Sequence, residues 1–174
     1  DGVTDMNAGE IHIVTTNANA TYNIGADRIA LVIKPGVTLN GSAVPNEKVV
    51  SVNGRNFVWI EGTIDATDDY YAIFASAGFS VINDVKVLKA FLSVIYVHTS
   101  FKNVFSNITA SGNNHGIYLY SSSTDNILNN IIADENYYGV YLGFATDNTL
   151  NNVTANNNDY GVYVFYSTNN ILNN

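Results

Sequence analysis

Gly116-Ile117-Tyr118-Leu119 recurs as Gly139-Val140-Tyr141-Leu142 and again as Gly161-Val162-Tyr163-Val164, with glycine-to-glycine spacings of 23 and then 22. A second series follows each: Asn126-Ile127-Leu128-Asn129-Asn130, Asn148-Thr149-Leu150-Asn151-Asn152 and Asn170-Ile171-Leu172-Asn173-Asn174. A third begins at Ile108-Thr109-Ala110, Ile131-Ile132-Ala133 and Val153-Thr154-Ala155. Self-similarity at such a period marks a stacked repeat architecture. Three short β-branched and aromatic pieces per repeat, jointed by Asn or Gly, predict one three-sided coil. A helical solenoid would need longer apolar runs, and a leucine-rich repeat would need Leu-x-x-Leu-x-Leu, which is absent. The fold class is therefore all-β, a right-handed parallel β-helix whose coils repeat at a sequence spacing of 22 or 23.

The register extends backwards. Val58, Val81, Val104, Ile127, Thr149 and Ile171 form one column; Val50, Ile73, Ile95, Ile117, Val140 and Val162 form another. Further upstream, Val37-Thr38-Leu39-Asn40-Gly41 matches Val58-Trp59-Ile60-Glu61-Gly62 at a spacing of 21. Coils are thus expected over residues 36–174. Residues 1–35 fall outside the period and are expected to form an N-terminal cap with the first strands, Glu10–Val14 and Arg28–Ile33, before a Lys34-Pro35-Gly36 turn. The whole is one structural domain.

A single coil cannot bury its own apolar face, so the coils stack, at about 4.8 Å per rung, and each strand pairs with the rungs above and below. Alternation turns Ile117 and Leu119 inward and Tyr118 outward. Asn103, Asn126, Asn148 and Asn170 fall at a corner, where their amides are expected to bond from rung to rung.

At these residues the chain resembles the parallel β-helix repeat superfamily. The Asn-rich pattern Tyr160-Gly161-Val162-Tyr163 followed by Ser167-Thr168-Asn169-Asn170-Ile171-Leu172 is similar to the repeats of NosD-type and archaeal or bacterial cell-surface proteins. The superfamily also holds pectate lyases, polygalacturonases and alginate epimerases. The resemblance covers most of the chain and implies the fold; the repeat residues build the coil rather than a site.

Composition narrows the function. Seven Lys and Arg against 15 Asp and Glu give a net charge of -8, and no Lys or Arg follows Lys102, which argues against nucleic acid as a partner. There is no cysteine, hence no disulfide framework or thiol nucleophile, and no run of 18 apolar residues to insert into a membrane. A start at Asp1 suits a processed export product as well as a trimmed chain. The chain holds 27 Asn, 18 of them from Asn103 onward, a density that signals repeated turns rather than disorder.

Catalytic constellations are thin. A pectate-lyase-like site needs clustered carboxylates with an Arg or Lys base, and a polygalacturonase-like site needs paired Asp with an Arg-x-Lys segment, which the chain lacks. The acidic run Asp65-Ala66-Thr67-Asp68-Asp69 reads first as a solvated loop, and second as a weak calcium site at Asp65, Asp68 and Asp69. Glu61 and Asp84 lie one rung apart and form a candidate carboxylate pair. His12, His98 and His115 show no metal-ligand spacing and read as surface residues. No catalytic residue, no resident cofactor other than that calcium, and no lyase or hydrolase activity on polygalacturonate or alginate are expected.

The aromatic column is the sharper signal. Phe74, Tyr96, Tyr118, Tyr141 and Tyr163 recur at the outward position of one strand and should form an external ladder about 20 Å long, widened by Tyr138 and Tyr160. Cross-strand stacking explains it as well as a surface for a glycan or a neighbouring chain does. Four sequons, at Asn19, Asn40, Asn107 and Asn152, are glycosylation candidates. The expected function is that of a non-enzymatic extracellular or cell-surface solenoid, structural, adhesive or self-assembling. Ile171–Asn174 starts a further rung, whose edge is expected either to take head-to-tail or lateral association or to continue into further coils. A polysaccharide-active enzyme or a carbohydrate-binding module is the alternative.

Overall fold

The computed structural model describes residues 2–41, 48–67 and 69–174. Every strand pairing within it is parallel. The first strands are β1 (Gly2–Asp5), β2 (Ile11–Val14), β3 (Ala18–Ile24), β4 (Ala30–Ile33) and β5 (Thr38–Asn40). Four longer strands follow: β6 (Lys48–Asn56), β7 (Trp59–Ala66), β8 (Tyr71–Gly78) and β9 (Val81–Ala90). The regular coils are β10 (Ser93–His98), β11 (Val104–Ala110), β12 (His115–Tyr120), β13 (Ile127–Ile132), β14 (Tyr138–Gly143), β15 (Thr149–Thr154), β16 (Tyr160–Phe165) and β17 (Ile171–Asn173). Wall A is built of β1, β3, β6, β8, β10, β12, β14 and β16. The intervening strands form a second surface that bends once, so the coil has three sides.

The bend turns on single residues. Asp84, Asn107, Asn130 and Asn152 each adopt a left-handed conformation (φ 51° to 54°) in the middle of β9, β11, β13 and β15. Asn and Asp accept this conformation at lower cost than other side chains. The pairings on either side of the bend, Ser106 with Asn129 and Ile108 with Ile131, keep the sequence-predicted register. So does the column Val50, Ile73, Ile95, Ile117, Val140, Val162.

Further upstream the register differs from the sequence expectation. Val81 pairs with Trp59 rather than Val58, and Thr38, Leu39 and Asn40 pair with Thr63, Ile64 and Asp65 rather than with residues 59–61. The reason is corner length: β4 and β5 are separated by Lys34–Val37, where β7 passes the same bend on Gly62. Residues 2–33 run in the same ladders as the rest, β1 beside β3 and β2 beside β4, so hydrogen bonding shows no break at residue 35. The sequence step from Tyr22 to its partner Val50 is 28, which hides these coils from a search for period 22.

Inward positions stack like on like. Ile60, Ile82, Phe105, Leu128 and Leu150 are fully or almost fully buried and follow one another in register, as do Ile95, Ile117 and Val140. The predicted amide ladder is present: Asn103 Nδ2 donates to Asn126 Oδ1 (2.9 Å), Asn126 Nδ2 to Asn148 Oδ1 (3.0 Å) and Asn148 Nδ2 to Asn170 Oδ1 (3.0 Å). A second corner carries a ladder that the sequence reading missed. There Asn136 and Asn158 Oδ1 accept from the backbone N–H of Asn113 and Asn136.

The glycines of the first two Gly-x-Tyr-x units are fixed by close approach. A Cβ on Gly116 would lie 2.5 Å from Gly139 O, and one on Gly139 the same distance from Gly161 O. On Gly161 the nearest atom is 3.3 Å away. Gly139→Ala should therefore lower stability by about 1–3 kcal/mol through overpacking between rungs. Gly161→Ala should be near neutral. Thermal melts of the two variants check this, and equal losses would contradict the stacking distances.

Candidate functional site

Wall A turns its outward side chains into a continuous aromatic face. Phe74, Tyr96, Tyr118, Tyr141 and Tyr163 are brought into one column, with successive ring centroids 5.6, 5.1, 4.6 and 5.0 Å apart. The rings are half-buried against one another. The Lys48 ammonium lies 3.8 Å from the Phe74 ring centroid and covers one end of the column. Beside it runs His115, Tyr138 and Tyr160, stacked at 5.2 and 5.0 Å. On the other side stand His98, Tyr120 and Phe165, with Gly143 in register between the last two.

Successive rings of the ladder meet at interplanar angles of 46° to 61°, so each covers part of the next. Burial pushes the Tyr96 hydroxyl up to about 12, reinforced by its neighbours Tyr71 and Tyr120, and pushes Tyr118 up in the same way. Burial lowers His115, whose ring lies between those of Tyr118 and Tyr138. A raised tyrosine pKa means that folding favours the neutral phenol. Its stabilisation is complete below the unfolded value near 10 and is lost as pH rises toward the folded value of about 12. Alkaline titration followed by the ring resonances of Tyr96 and Tyr118 and by circular dichroism should show ionisation of these two coupled to loss of structure in that window. Their ionisation at pH 10 with the fold intact would contradict the packing.

A second aromatic feature, absent from the sequence reading, sits at the corner between wall A and β7, β9 and β11. Phe57, Phe79 and Phe101 follow one another at centroid distances of 5.6 and 5.4 Å and are 57%, 45% and 41% exposed. Further along the stack, Phe144 and Tyr166 lie 5.5 Å apart and pack against Tyr120 and Phe165 of wall A. The signal was present, since Phe57 and Phe79 repeat at a spacing of 22, but nothing in the period distinguishes an exposed ring from a packed one.

The other candidates disperse. Asp65 is half-exposed and accepts from the backbone N–H and the hydroxyl of Thr67, whereas Asp69 is buried (1% exposed) and packs against Gly41. Asp68 lies outside the described residues. No group of three or more His, Asp or Glu side chains converges among the described residues. His98 Nδ1 lies 3.0 Å from the Thr99 hydroxyl and His115 Nδ1 3.3 Å from that of Ser93. Of the sequons, Asn19 Oδ1 accepts from Asn40 Nδ2. Asn107 Nδ2 donates to Asp84, and Asn152 Nδ2 to Asn130.

Glu61 and Asp84 are brought to one cleft of about 320 Å³, lined also by Ile33, Lys34, Pro35 and Thr63. Each carboxylate is held by neutral donors. Glu61 Oε2 accepts from the Trp59 indole N–H at 2.9 Å; Asp84 accepts from Asn83 and Asn107 amides at 2.6 and 2.9 Å.

The backbone is similar to that of an alginate lyase from Paenibacillus sp. str. FPU-7, with a TM-score of 0.72 at 13% identity over 98% of this chain and 76% of that chain. The A-module of the mannuronan C-5 epimerase AlgE4 from Azotobacter vinelandii aligns at 16% identity over 90% of this chain and 68% of that chain, with a TM-score of 0.36. No curated protein sequence matches the chain. Residues 12–174 match the model of a family described as periplasmic copper-binding protein (NosD), and with nearly the whole coil stack inside that match, the chain belongs to the NosD family of parallel β-helix proteins.

Proposed function

We propose that the protein is a non-catalytic β-solenoid of the cell envelope, a rigid rod that attaches to a glycan along its aromatic side. The observation that carries this reading is the placement of exposed aromatic residues in an unfavourable backbone conformation. Phe57, Phe79, Phe144 and Tyr166 have φ of 60°, 52°, 51° and 44°. In register with Phe57 and Phe79, at the residue before the corner amide, stand Lys102, Asp125, Asp147 and Asn169 in the same conformation. Left-handed backbone costs a bulky residue roughly 1–2 kcal/mol, and the mutual stacking of the rings returns about 0.5–1.5 kcal/mol. The apolar area left in water then has no return in stability, and an exposed patch of this kind marks a contact surface. Exposed rings at the corner beside rows of phenolic hydroxyls suit the apolar faces and hydroxyl groups of sugars.

The family's description names copper, and the described residues do not fit a copper centre. Soft or imidazole ligands would be needed, yet the chain has no Cys and a single, buried Met6. His98 and His115 stand at opposite ends of their strands.

Cosedimentation with insoluble chitin, cellulose and peptidoglycan tests the reading. The wild-type chain should pellet with at least one of them. Phe57→Asn combined with Phe79→Asn should reduce that binding about tenfold while the melting temperature stays level or rises, because Asn relieves the backbone cost. Absence of wild-type binding, or equal binding by the double variant, would overturn it. Concentration-dependent oligomers that the same substitutions abolish would assign the aromatic side to contact between copies instead.

A further inference from the structure

We propose that the cleft at the third corner, formed by Lys34, Glu61 and Asp84 beside Trp59, is a polar anchor site for one saccharide unit of the glycan; the inference rests on the glycan reading above and names its hydrogen-bonding subsite.

The cleft exists because the corner changes its filling from rung to rung. In the upper coils the bend is occupied by Asn107, Asn130 and Asn152, whose amides bond in series: Asn130 Nδ2 donates to Asn107 and Asn152 Nδ2 to Asn130. A neighbouring column does the same, with Asn151 donating to Asn129 and Asn173 to Asn151. Both columns close the surface. Lower down they end in carboxylates. Asp84 continues the first column, its Oδ1 accepting from Asn107 Nδ2 at 2.9 Å. Glu61 lies in line with the second beyond Ser106 and Asn83, at an irregularity where it alone faces Asn83 and Asp84 between the pairs Ile60–Ile82 and Gly62–Val85. On the rung of Glu61 the bend itself is Gly62, with φ +118°, where a Cβ would fall 2.4 Å from Ile33 Cβ. One rung further the chain leaves the sheet altogether in the Lys34–Val37 turn, closed by Val37 N–H donating to Lys34 O at 3.0 Å. A side-chain-free floor between a protruding turn and a carboxylate-bearing bend is what opens the space.

Its chemistry is unlike the rest of that surface. β13, β15 and β17 carry no charged residue at all, in ILNNII, TLNNVT and ILN. The outward row of β7 is Trp59, Glu61, Thr63 and Asp65, and Lys34 and Asp84 face it from the rungs on either side. Lys34 makes no ion pair among the described residues, so its three donors are available, and the two carboxylates are oriented by neutral N–H groups rather than neutralised by a cation. Oriented carboxylate acceptors, an unpaired ammonium donor, a threonine hydroxyl and an apolar wall of Pro35 and Ile33 match the alternating hydroxyls and C–H faces of a pyranose. The volume of about 320 Å³ lies at the size of a small-ligand pocket. Trp59, 38% exposed, joins the cleft to the aromatic corner, since Phe57 stands just before it in the chain, separated only by Val58. A glycan resting on the corner rings thereby reaches a hydrogen-bonding end point without crossing bare sheet.

The site is tested by titrating the isotope-labelled chain with chitotriose, cellotriose, mannotriose and trigalacturonate, following the Trp59 indole N–H resonance. At least one trisaccharide should shift it. Glu61→Gln and Asp84→Asn, which keep shape and remove one charge each, the second placing at the bend the residue type found in the coils above, should each weaken that binding by about tenfold or more and leave the melting temperature unchanged. If the wild-type chain pellets with an insoluble glycan while no trisaccharide shifts the indole, or the two variants bind as the wild type does, the cleft assignment is wrong and the aromatic reading stands. If no glycan binds in either assay, both fall. A shift produced by calcium alone, with none from any sugar, would make the carboxylates a cation site and overturn the proposal.

Discussion

Leu128→Asp is expected to unfold the coils around it. Leu128 has no exposed area and lies in register between Phe105 and Leu150. A carboxylate there would be surrounded by Leu, Ile and Phe on its own and adjacent rungs, with no donor within reach. Leaving a charged or newly neutralised carboxyl in an apolar core costs several kcal/mol, and the lost leucine burial adds about 2–3 kcal/mol. That sum rivals the entire stability of a domain, about 5–15 kcal/mol. In a solenoid each coil touches its neighbours only, so damage depends on position. Leu150→Asp, one rung nearer the exposed Leu172, should strip β15, β16 and β17 and spare the coils before them. Hydrogen exchange distinguishes the two: protection should vanish on both sides of β13 in the first variant and only beyond β14 in the second. An unchanged melt in either would mean that these side chains do not point inward.

The second large effect is expected at Asn126, whose amide has its full valence engaged in the buried ladder. Oδ1 accepts from the backbone N–H of Asn103 at 3.1 Å and from Asn103 Nδ2 at 2.9 Å. Nδ2 donates to Ser100 O at 3.1 Å and to Asn148 Oδ1 at 3.0 Å. Asn126→Leu preserves volume and deprives four buried groups of a partner. At about 1–3 kcal/mol for each unsatisfied group, discounted for those with a second partner, a loss of about 4 kcal/mol follows. Asn126→Asp keeps the acceptor and sets an oxygen against two others. The folded state then favours the protonated acid, raising its pKa above the unfolded value near 3.9. Stability is therefore greatest below that value and falls as pH rises through the folded pKa. Chemical denaturation of this variant at pH 3 and pH 7 should show the greater loss at pH 7. Asn130→Asp, on the exposed ladder, should change stability by less than about 1 kcal/mol. If Leu and Asp at position 126 are tolerated as well as Asp at 130, the corner ladder is an accessory to turns that form without it.

What could be read from the residues divides sharply along the chain. From Asn103 onward the corners are short and constant, so a column of identical side chains at 22 or 23 is already a statement about which atoms touch. Hence the Ile and Leu core columns, the Asn103–Asn170 ladder and the Phe74–Tyr163 ladder all follow from spacing. Before Val50 the same ladders continue with a step of 28 from Tyr22, and with the Lys34–Val37 excursion between β4 and β5. An added loop leaves the hydrogen bonding of the rung unaltered while it destroys the period. The period alone therefore assigns residues 1–35 to a cap with the first strands, and pairs Val58 rather than Trp59 with Val81.

The coil, its three sides and the alternation of inward and outward residues all follow from the residues, because a period-2 pattern inside a period-22 repeat leaves one way to bury the apolar set. The sequence could name Glu61 and Asp84 as lying a rung apart, and Phe57 and Phe79 as a repeat of rings. What these neighbours do depends on how the coils stack. Asp69 went inward against Gly41, and Glu61 and Asp84 went to a cleft cleared by Gly62 and the Lys34 turn. The corner phenylalanines were left in water in left-handed backbone. The physical reason is that a repeat fixes position along the strand, whereas exposure at a corner depends on the length and direction of the corners stacked above and below it.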